Sequence, residues 1–359
     1  CILVGHAEPI CIGAIEKFIN EYAFAHCCDA TTVPPANGLR AAVVGSGPGS
    51  LACADELAKL GYAVTIFESQ AQAGGLLLNG IPGFKLEKSV VERRVNILRR
   101  RGVRFETGVT VGVQVQLGEL QRDYHAVFLG IGAQKAKPLD IPGAELRGVQ
   151  AALPFLIQRN SPMPLDIPVV EVSGRRVLVL GGGDTAMDCL RTAIRAGAAE
   201  AVCVYRRDLA NMPGSRKEYY NAIEEGAQFL FLTNPVALEA DGSGGVAGVR
   251  CTRMELGEPD FSGRRKPRVV PGSEFTIKAE LVLVAYGFDP VPFPRDSDLS
   301  EIAVNDWGAI RVDENQMTSV PGVFAGGDVV RGASLVVHAV RDGRRAAAGI
   351  HRHLQPLRN

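Results

Sequence analysis

The sequence contains no apolar run approaching the ~18–20 residues that a membrane-crossing helix needs, so no helical membrane span is expected. It has no net charge: 39 Lys and Arg balance 39 Asp and Glu. No global field therefore draws nucleic acid or an anionic membrane to it, and neither is expected as a partner. None of its eight cysteines (1, 11, 27, 28, 53, 189, 203 and 251) forms a CxxC pair. Cys53 and Cys189 fall inside helical patterns, and the set apart from Cys1 and Cys11 reads as reduced thiols of a cytoplasmic protein. No methionine precedes Cys1, and the first residues lack the basic, apolar and small-residue order of a signal peptide. The chain is expected to be a fragment or a processed product, with something upstream of it.

What is present suits a large α/β protein. A length of 359 residues exceeds what one hydrophobic core usually organises, so two domains are expected. Hydrophobic residues make up 46% and charged residues 22%, as in ordinary globular chains. Many of the 41 glycines fall between a β-type run and a helical one.

Along the chain, Ile12, Ile15, Phe18, Ile19 and Tyr22 recur at helical spacing, predicting an amphipathic helix over 10–25. The Pro/Thr/Asn-rich stretch 29–38 reads as a linker. Next come a buried strand (41–44), a glycine loop, a helix marked by Leu51, Ala54 and Leu57 that ends at Gly61, and a second strand (63–67). The same βαβ grammar returns over 175–208, where Met187, Leu190 and Ile194 line one helix face and Gly197 stops the helix. Residues 322–354 add a strand, a glycine turn carrying Asp328, and a helix with Val336, Val340, Gly343, Ala347 and Ile350 inward. Two βαβ units so far apart argue for two nucleotide-binding domains rather than one large sheet.

The first loop, GSGPGS, offers Gly45 for the tight turn and Gly47 for close backbone approach to a pyrophosphate. Ser50 occupies the third fingerprint position, where a glycine is usual. It is expected to cost packing, not binding, with Gly49 beside it adding freedom. Glu68 ends the second strand, where a carboxylate accepts from ribose hydroxyls. The second loop, GGGDTA, places Gly181, Gly183 and Ala186 at the fingerprint positions. Its second strand ends in Arg206 and Arg207, and a guanidinium there suits a 2′-phosphate. Loop one thus favours an unphosphorylated adenosine ribose, that of FAD or NAD, and loop two favours NADP. A flavin accepts the hydride that NADPH donates and releases electrons singly. Asp328 could bind flavin ribityl hydroxyls, with a helix N-terminus at Ala333 and Ser334 aimed at the ring or pyrophosphate. Hydride transfer needs no general acid or base, and no catalytic side chain is assigned; His338 reads as a packed or surface residue.

In order along the chain stand GxGPxx, GGLLLNGIPGFKLEK (74–88), VLGGGDTAMD, YRRDLANMPGS and GVFAGGDVVRGASLVVHAVRDG. Together they resemble the family of small (beta) subunits of bacterial NADPH-dependent glutamate synthase. The wider class is similar to adrenodoxin reductase and to the reductase half of dihydropyrimidine dehydrogenase. The likeness covers essentially the whole chain. It implies an α/β fold of two Rossmann-like, three-layer dinucleotide-binding domains. An NADPH domain (151–287) would be inserted in an FAD domain (38–150 and 288–359). A remnant of a helical Fe–S domain with its linker (1–37) would precede them. Segments 127–133 and 282–290, with Gly132 and Gly287, would be the crossovers. The resemblance further implies FAD contacts at Gly45, Gly47, Pro48, Gly49, Ser50, Glu68, Gly74, Gly75, Leu76, Ile81, Pro82, Gly132, Gly327, Asp328 and Ser334. NADPH contacts would fall at Gly181, Gly183, Asp184, Thr185, Ala186, Arg206, Arg207 and Gly287. It implies electron flow from NADPH to FAD, then through iron–sulfur clusters to FMN in a large (alpha) partner subunit. There 2-oxoglutarate and glutamine-derived ammonia become glutamate. Cys1 aligns with the last ligand of a domain holding two [4Fe–4S] clusters; each needs four thiolates, so no intact cluster is expected in this chain. The competing expectations are a related NADPH reductase serving ferredoxin or a pyrimidine-reducing partner, and a nucleotide-binding scaffold without chemistry.

Overall fold

A computed structural model describes residues 10–26, 33–162, 169–259 and 265–358. Cys1, expected to be a cluster ligand, and the pair Cys27–Cys28 lie outside these residues. Helix α1 (Ile12–Ala25) forms where the periodicity placed it, yet buries none of its residues. Its apolar stripe stays exposed, and Glu21 and Phe24 tie it to Arg93 by an ion pair of 2.6 Å and a guanidinium–ring contact of 3.9 Å.

The runs of small and β-branched residues that follow make strands buried on both faces, as a parallel sheet requires. In chain order these are β1 (Arg40–Val44), α2 (Pro48–Lys59), β2 (Ala63–Glu68), α3 (Leu76–Asn79), α4 (Lys88–Arg100), β3 (Arg104–Thr107), α5 (Leu117–Asp123) and β4 (Ala126–Leu129). The chain then leaves through a short strand, β5 (Lys135–Ala136), and builds β6 (Val149–Ala151), α6 (Ala152–Asn160), β7 (Arg176–Leu180), α7 (Asp184–Arg195), β8 (Glu200–Val204), α8 (Arg216–Glu224) and β9 (Gln228–Leu230). An antiparallel layer follows: β10 (Thr233–Ala240), β11 (Val246–Pro259), β12 (Arg265–Val269) and β13 (Phe275–Lys278). After β14 (Leu281–Val284) the chain returns through β15 (Phe288–Asp289) to β16 (Val323–Ala325), α9 (Asp328–Arg331) and α10 (Val336–Leu354).

Two five-stranded parallel sheets result, ordered β16-β4-β1-β2-β3 and β6-β14-β7-β8-β9. The return strand β16 pairs with β4, so the second sheet interrupts the unit built on the first. The two connecting segments pair with each other through β5 and β15. One face of the first sheet packs on α2, α4 and α10 through Leu57, Leu98, Phe128 and Ile350. The second sheet packs on α6 and α7 through Phe155, Met187 and Leu190, and its other face packs on the antiparallel layer through Val249 and Cys251. In both sheets the loop after the central strand (β1 or β7) sits where the strand order reverses, which is where open α/β sheets bind ligands. Among the described residues no helix is long and apolar enough to cross a membrane, and no cluster of three or more His, Cys, Asp or Glu could hold a metal.

Candidate active site

The two glycine loops are built alike. Gly45 has φ +86°, and a Cβ there would stand 2.7 Å from the Gly130 carbonyl oxygen. Gly181 has φ +138°, and its Cβ would stand 2.4 Å from the Ala285 carbonyl oxygen. Both glycines are therefore demanded by the neighbouring strand. Gly47 and Gly183 differ from them: each is an N-cap of extended backbone with nothing within 4 Å of a Cβ. The protein gives no reason for a glycine at these two positions, whereas a phosphate lying on the backbone N–H groups of α2 or α7 would. Pro48 opens α2 at the position where a missing N–H costs nothing.

Ser50 is fully buried, and its Oγ donates weakly to the Val44 and Gly130 carbonyls at 3.5 and 3.4 Å. It fits because Gly130 has no side chain; a Cβ there would meet Ser50 Oγ at 2.1 Å. The matching Ala186 in loop two is also fully buried. Gly49 and Gly343 let α2 and α10 touch backbone to backbone, with a Gly343 Cβ falling 2.0 Å from the Gly49 carbonyl oxygen.

Glu68 lies buried at the end of β2, but its carboxylate is already occupied. Its Oε2 accepts from the Ser46 N–H (2.9 Å) and hydroxyl, and its Oε1 accepts from Ser69 Oγ (3.1 Å) and the Gln70 N–H (2.8 Å). Ser46 Oγ in turn accepts from the Gly74 N–H at 2.8 Å. Glu68 therefore ties loop one to the next glycine turn, and a ribose hydroxyl reaching it would have to displace one of these donors. Gly75 (φ +54°) rests on loop one, its Cβ position 2.9 Å from Gly47 Cα. Leu76 opens α3 half-buried, Ile81 is half-buried and Pro82 is buried. Gly132 and Gly287, both at positive φ, have open space where a side chain would be.

Asp328 opens α9 after Gly326 and Gly327. Its Oδ1 is buried and has no hydrogen-bond partner among the described residues. Burial pushes the carboxyl up to about 6, against the pull of the Ser334 N–H and Arg331. Such an orphaned acceptor, at the end of a strand in the same sheet as loop one, fits a hydroxyl-bearing ligand, since buried polar atoms otherwise find partners. Ala333 and Ser334 do not start a long helix as expected: α10 begins at Val336, and Ser334 Oγ pairs with His338 Nδ1 at 2.8 Å. Val336 is exposed, not inward, because it lies in the first turn of α10, ahead of the stretch that packs on α2. Sequence reading missed Asp342, whose fully buried carboxylate takes the Arg331 guanidinium with both oxygens and accepts from the Gly327 N–H at 3.2 Å. A charged residue at an inward helix position was the available signal.

Around loop two, Asp184 Oδ1 accepts from the Ser215 N–H at 2.9 Å, and the Gly214 N–H donates to the Gly182 carbonyl at 2.9 Å. Thr185 follows half-buried in the first turn of α7. Arg206 and Arg207 part company. Arg206 is exposed and makes no hydrogen bond or ion pair among the described residues, whereas Arg207 is buried and donates from Nε to the Arg265 carbonyl at 2.9 Å. Both lie in a bend past Val204, the last residue of β8, and the bend leaves Arg206 in solvent while Arg207 is covered.

The Asp328 environment makes a prediction for the ligand-free protein. A carboxyl whose folded pKa exceeds its ordinary 3.8 binds its proton more tightly when folded. Its contribution to stability is therefore greatest at low pH and is lost as pH rises through about 6. Asp328→Asn stays neutral. Urea unfolding of the ligand-free protein should find it more stable than the parent by about 1–2 kcal/mol at pH 8, after allowance for solvent screening, and little changed at pH 4.

Two open-faced glycine loops at two switch points define a two-dinucleotide oxidoreductase fold, and residues 39–343 match the pyridine nucleotide-disulphide oxidoreductase family, to which the chain belongs. More narrowly, it belongs to the glutamate synthase small-chain family. It is 46% identical over 350 residues to the glutamate synthase (NADPH) small chain of Azospirillum brasilense, covering 95% of this chain and 72% of that one. The resemblance read from the motifs is borne out. The chain is also 45% identical to the oxidoreductase AegA of Escherichia coli (strain K12), over 98% of this chain but 54% of that one. It therefore spans about half of AegA. Among solved structures, Mycobacterium tuberculosis FprA in complex with NADPH shares the fold, with a TM-score of 0.77 at 23% identity, covering 90% of this chain and 85% of that one.

Proposed function

We propose that the chain is the electron-entry subunit of an NADPH-dependent glutamate synthase. In this reading FAD lies on loop one and NADPH on loop two. When bound, the cofactors supply the redox chemistry: a hydride passes from the nicotinamide to the flavin, which releases electrons singly. The residues of the chain hold and align them. The N–H groups at the start of α2, over open Gly47, take one pyrophosphate, and those of α7, over Gly183, take the other. Asp328 Oδ1 accepts from a ribityl hydroxyl. Arg206 grips the 2′-phosphate and gives the site its preference for NADPH over NADH. Electrons would then pass, by way of iron–sulfur clusters for which this chain offers Cys1 as a ligand, to a large subunit in the cytoplasm, where glutamine and 2-oxoglutarate would yield glutamate.

The observation that carries this reading is the contrast between two loops of one construction. Glu68, the last residue of β2, is a buried carboxylate, whereas Arg206, two residues past the end of β8, is an exposed guanidinium. A second reading is favoured by AegA, in which a region like this chain accounts for only about half of a differently named oxidoreductase. There the same hydride transfer would serve another acceptor, such as a ferredoxin or a pyrimidine-reducing partner. Anaerobic mixing of the FAD-loaded protein with NADPH should bleach the flavin within a turnover, and an unbleached flavin refutes both readings. Reoxidation by the large subunit with glutamate formed, but not by ferredoxin, selects the first.

A further inference from the structure

The segment between the two glycine sites is short and unusually tied. It starts at Gly75 on the backbone of loop one and ends at α4. In between it reaches across to the second sheet's helices at three points. The Asn160 amide of α6 donates to the Gly80 carbonyl at 3.4 Å. The Phe84 ring lies against the guanidinium groups of Arg191 and Arg195, 4.3 and 4.4 Å from its centroid. Lys85 Nζ pairs with Asp188 at 2.8 Å and with Glu218 at 3.6 Å. The receiving side is braced in turn: Arg191 bonds Glu218 at 2.8 Å and Glu225 at 2.7 Å. Lys88 Nζ pins the segment to itself through the Leu77 and Ile81 carbonyls.

Asp188 lies one turn into α7, the helix whose N-terminus is loop two. A rigid path of a dozen residues therefore runs from the backbone of loop one to the helix of loop two. Neither unit needs it to form a core, because each sheet has its own.

We propose that Phe84 and Lys85 are positioning residues that fix the two dinucleotide loops at the separation and angle hydride transfer needs. The proposal rests on the reading of loop one as the flavin site and loop two as the NADPH site. The physical reason is the steepness of the requirement: reacting atoms must meet within about 3–3.5 Å, and a displacement of about 1 Å costs on the order of 100-fold in rate. Two units whose chain crossings form the narrow β5–β15 ribbon would otherwise move relative to each other, as covalently linked domains do by default. The Lys85–Asp188 pair is mostly buried, with side-chain exposures of 22% and 12%, so removing one partner leaves a poorly solvated charge and loosens the contact.

The test uses the FAD-loaded protein with Lys85→Met, Lys85→Arg and Phe84→Leu. Stopped-flow bleaching at saturating NADPH should show a limiting rate about 10- to 100-fold lower for Lys85→Met and Phe84→Leu. The dissociation constant for NADP⁺ should stay within twofold, and Lys85→Arg should restore most of the rate. In the ligand-free protein, amide hydrogen exchange should quicken over residues 80–88 and the first turns of α7 in Lys85→Met. A limiting rate within twofold of the parent in both loss variants overturns the proposal, even if exchange rises, because the contact would then be structural only. If NADPH does not bleach the parent flavin, the hydride reading fails by itself. The strap is then judged on exchange alone, and unchanged protection of α7 overturns it.

Discussion

Gly47→Ala should leave the ligand-free protein folded with its unfolding temperature unchanged, yet purified with little FAD. Gly45→Ala, two residues earlier, should instead lower the unfolding temperature of the ligand-free protein. At Gly47 a methyl group meets no protein atom within 4 Å and the backbone is extended, so folding loses nothing. The methyl would instead occupy the surface on which a pyrophosphate must lie, and overpacking of that kind costs about 1–3 kcal/mol, or roughly 10- to 100-fold in affinity. At Gly45 the new Cβ stands 2.7 Å from a backbone carbonyl oxygen with φ at +86°. Positive φ costs an L-residue about 1–2 kcal/mol, and the clash a similar amount. At 2–4 °C per kcal/mol for a unit of this size, the melting temperature of the ligand-free protein should fall by about 5–10 °C. Thermal unfolding without flavin and flavin content at purification together read out the contrast. A Gly47→Ala protein that keeps its flavin refutes loop one as the pyrophosphate site.

The same contrast explains what could be read from the sequence. Glycine spacing is local: the turn, the first helical turn and the strand before it lie within a dozen residues, so the loops, their strands and the α/β class were legible. Contacts that close over long separations were not. Lys85 and Asp188 lie 103 residues apart, and nothing near Lys85 marks it as a partner of a buried carboxylate. Ser50 was expected to cost packing because its compensating Gly130 stands 80 residues away on the neighbouring strand's exit. The antiparallel layer β10–β13 leaves little signal in the sequence because its strands alternate weakly and carry prolines and charges. The stripe on α1 was legible as helix but misleading as packing, since periodicity reports a face and not what covers it.

Arg206→Ala should weaken NADPH binding by about 10- to 150-fold while changing NADH by less than about threefold. Arg207→Ala should weaken both alike. The adjacent arginines were equivalent in the sequence, and burial separates them. Arg206 is exposed and has no hydrogen-bonding partner among the described residues, so its bonds to a 2′-phosphate would be gained without breaking others. Charge-assisted bonds of that kind contribute about 1.5–3 kcal/mol, which sets the expected loss. NADH has no 2′-phosphate and hence nothing to lose. Arg207 is 8% exposed, and its Nε donates to the Arg265 carbonyl, holding β12 against the end of β8. Its removal takes away packing of the aliphatic stem as well as that bond. The effect should therefore appear as a lower unfolding temperature and a uniform loss for both nucleotides. Titrating each variant with NADPH and NADH, alongside thermal unfolding, separates the two roles. If selectivity follows Arg207 instead, the buried guanidinium must swing out on binding, and the assignment of the 2′-phosphate to Arg206 is wrong.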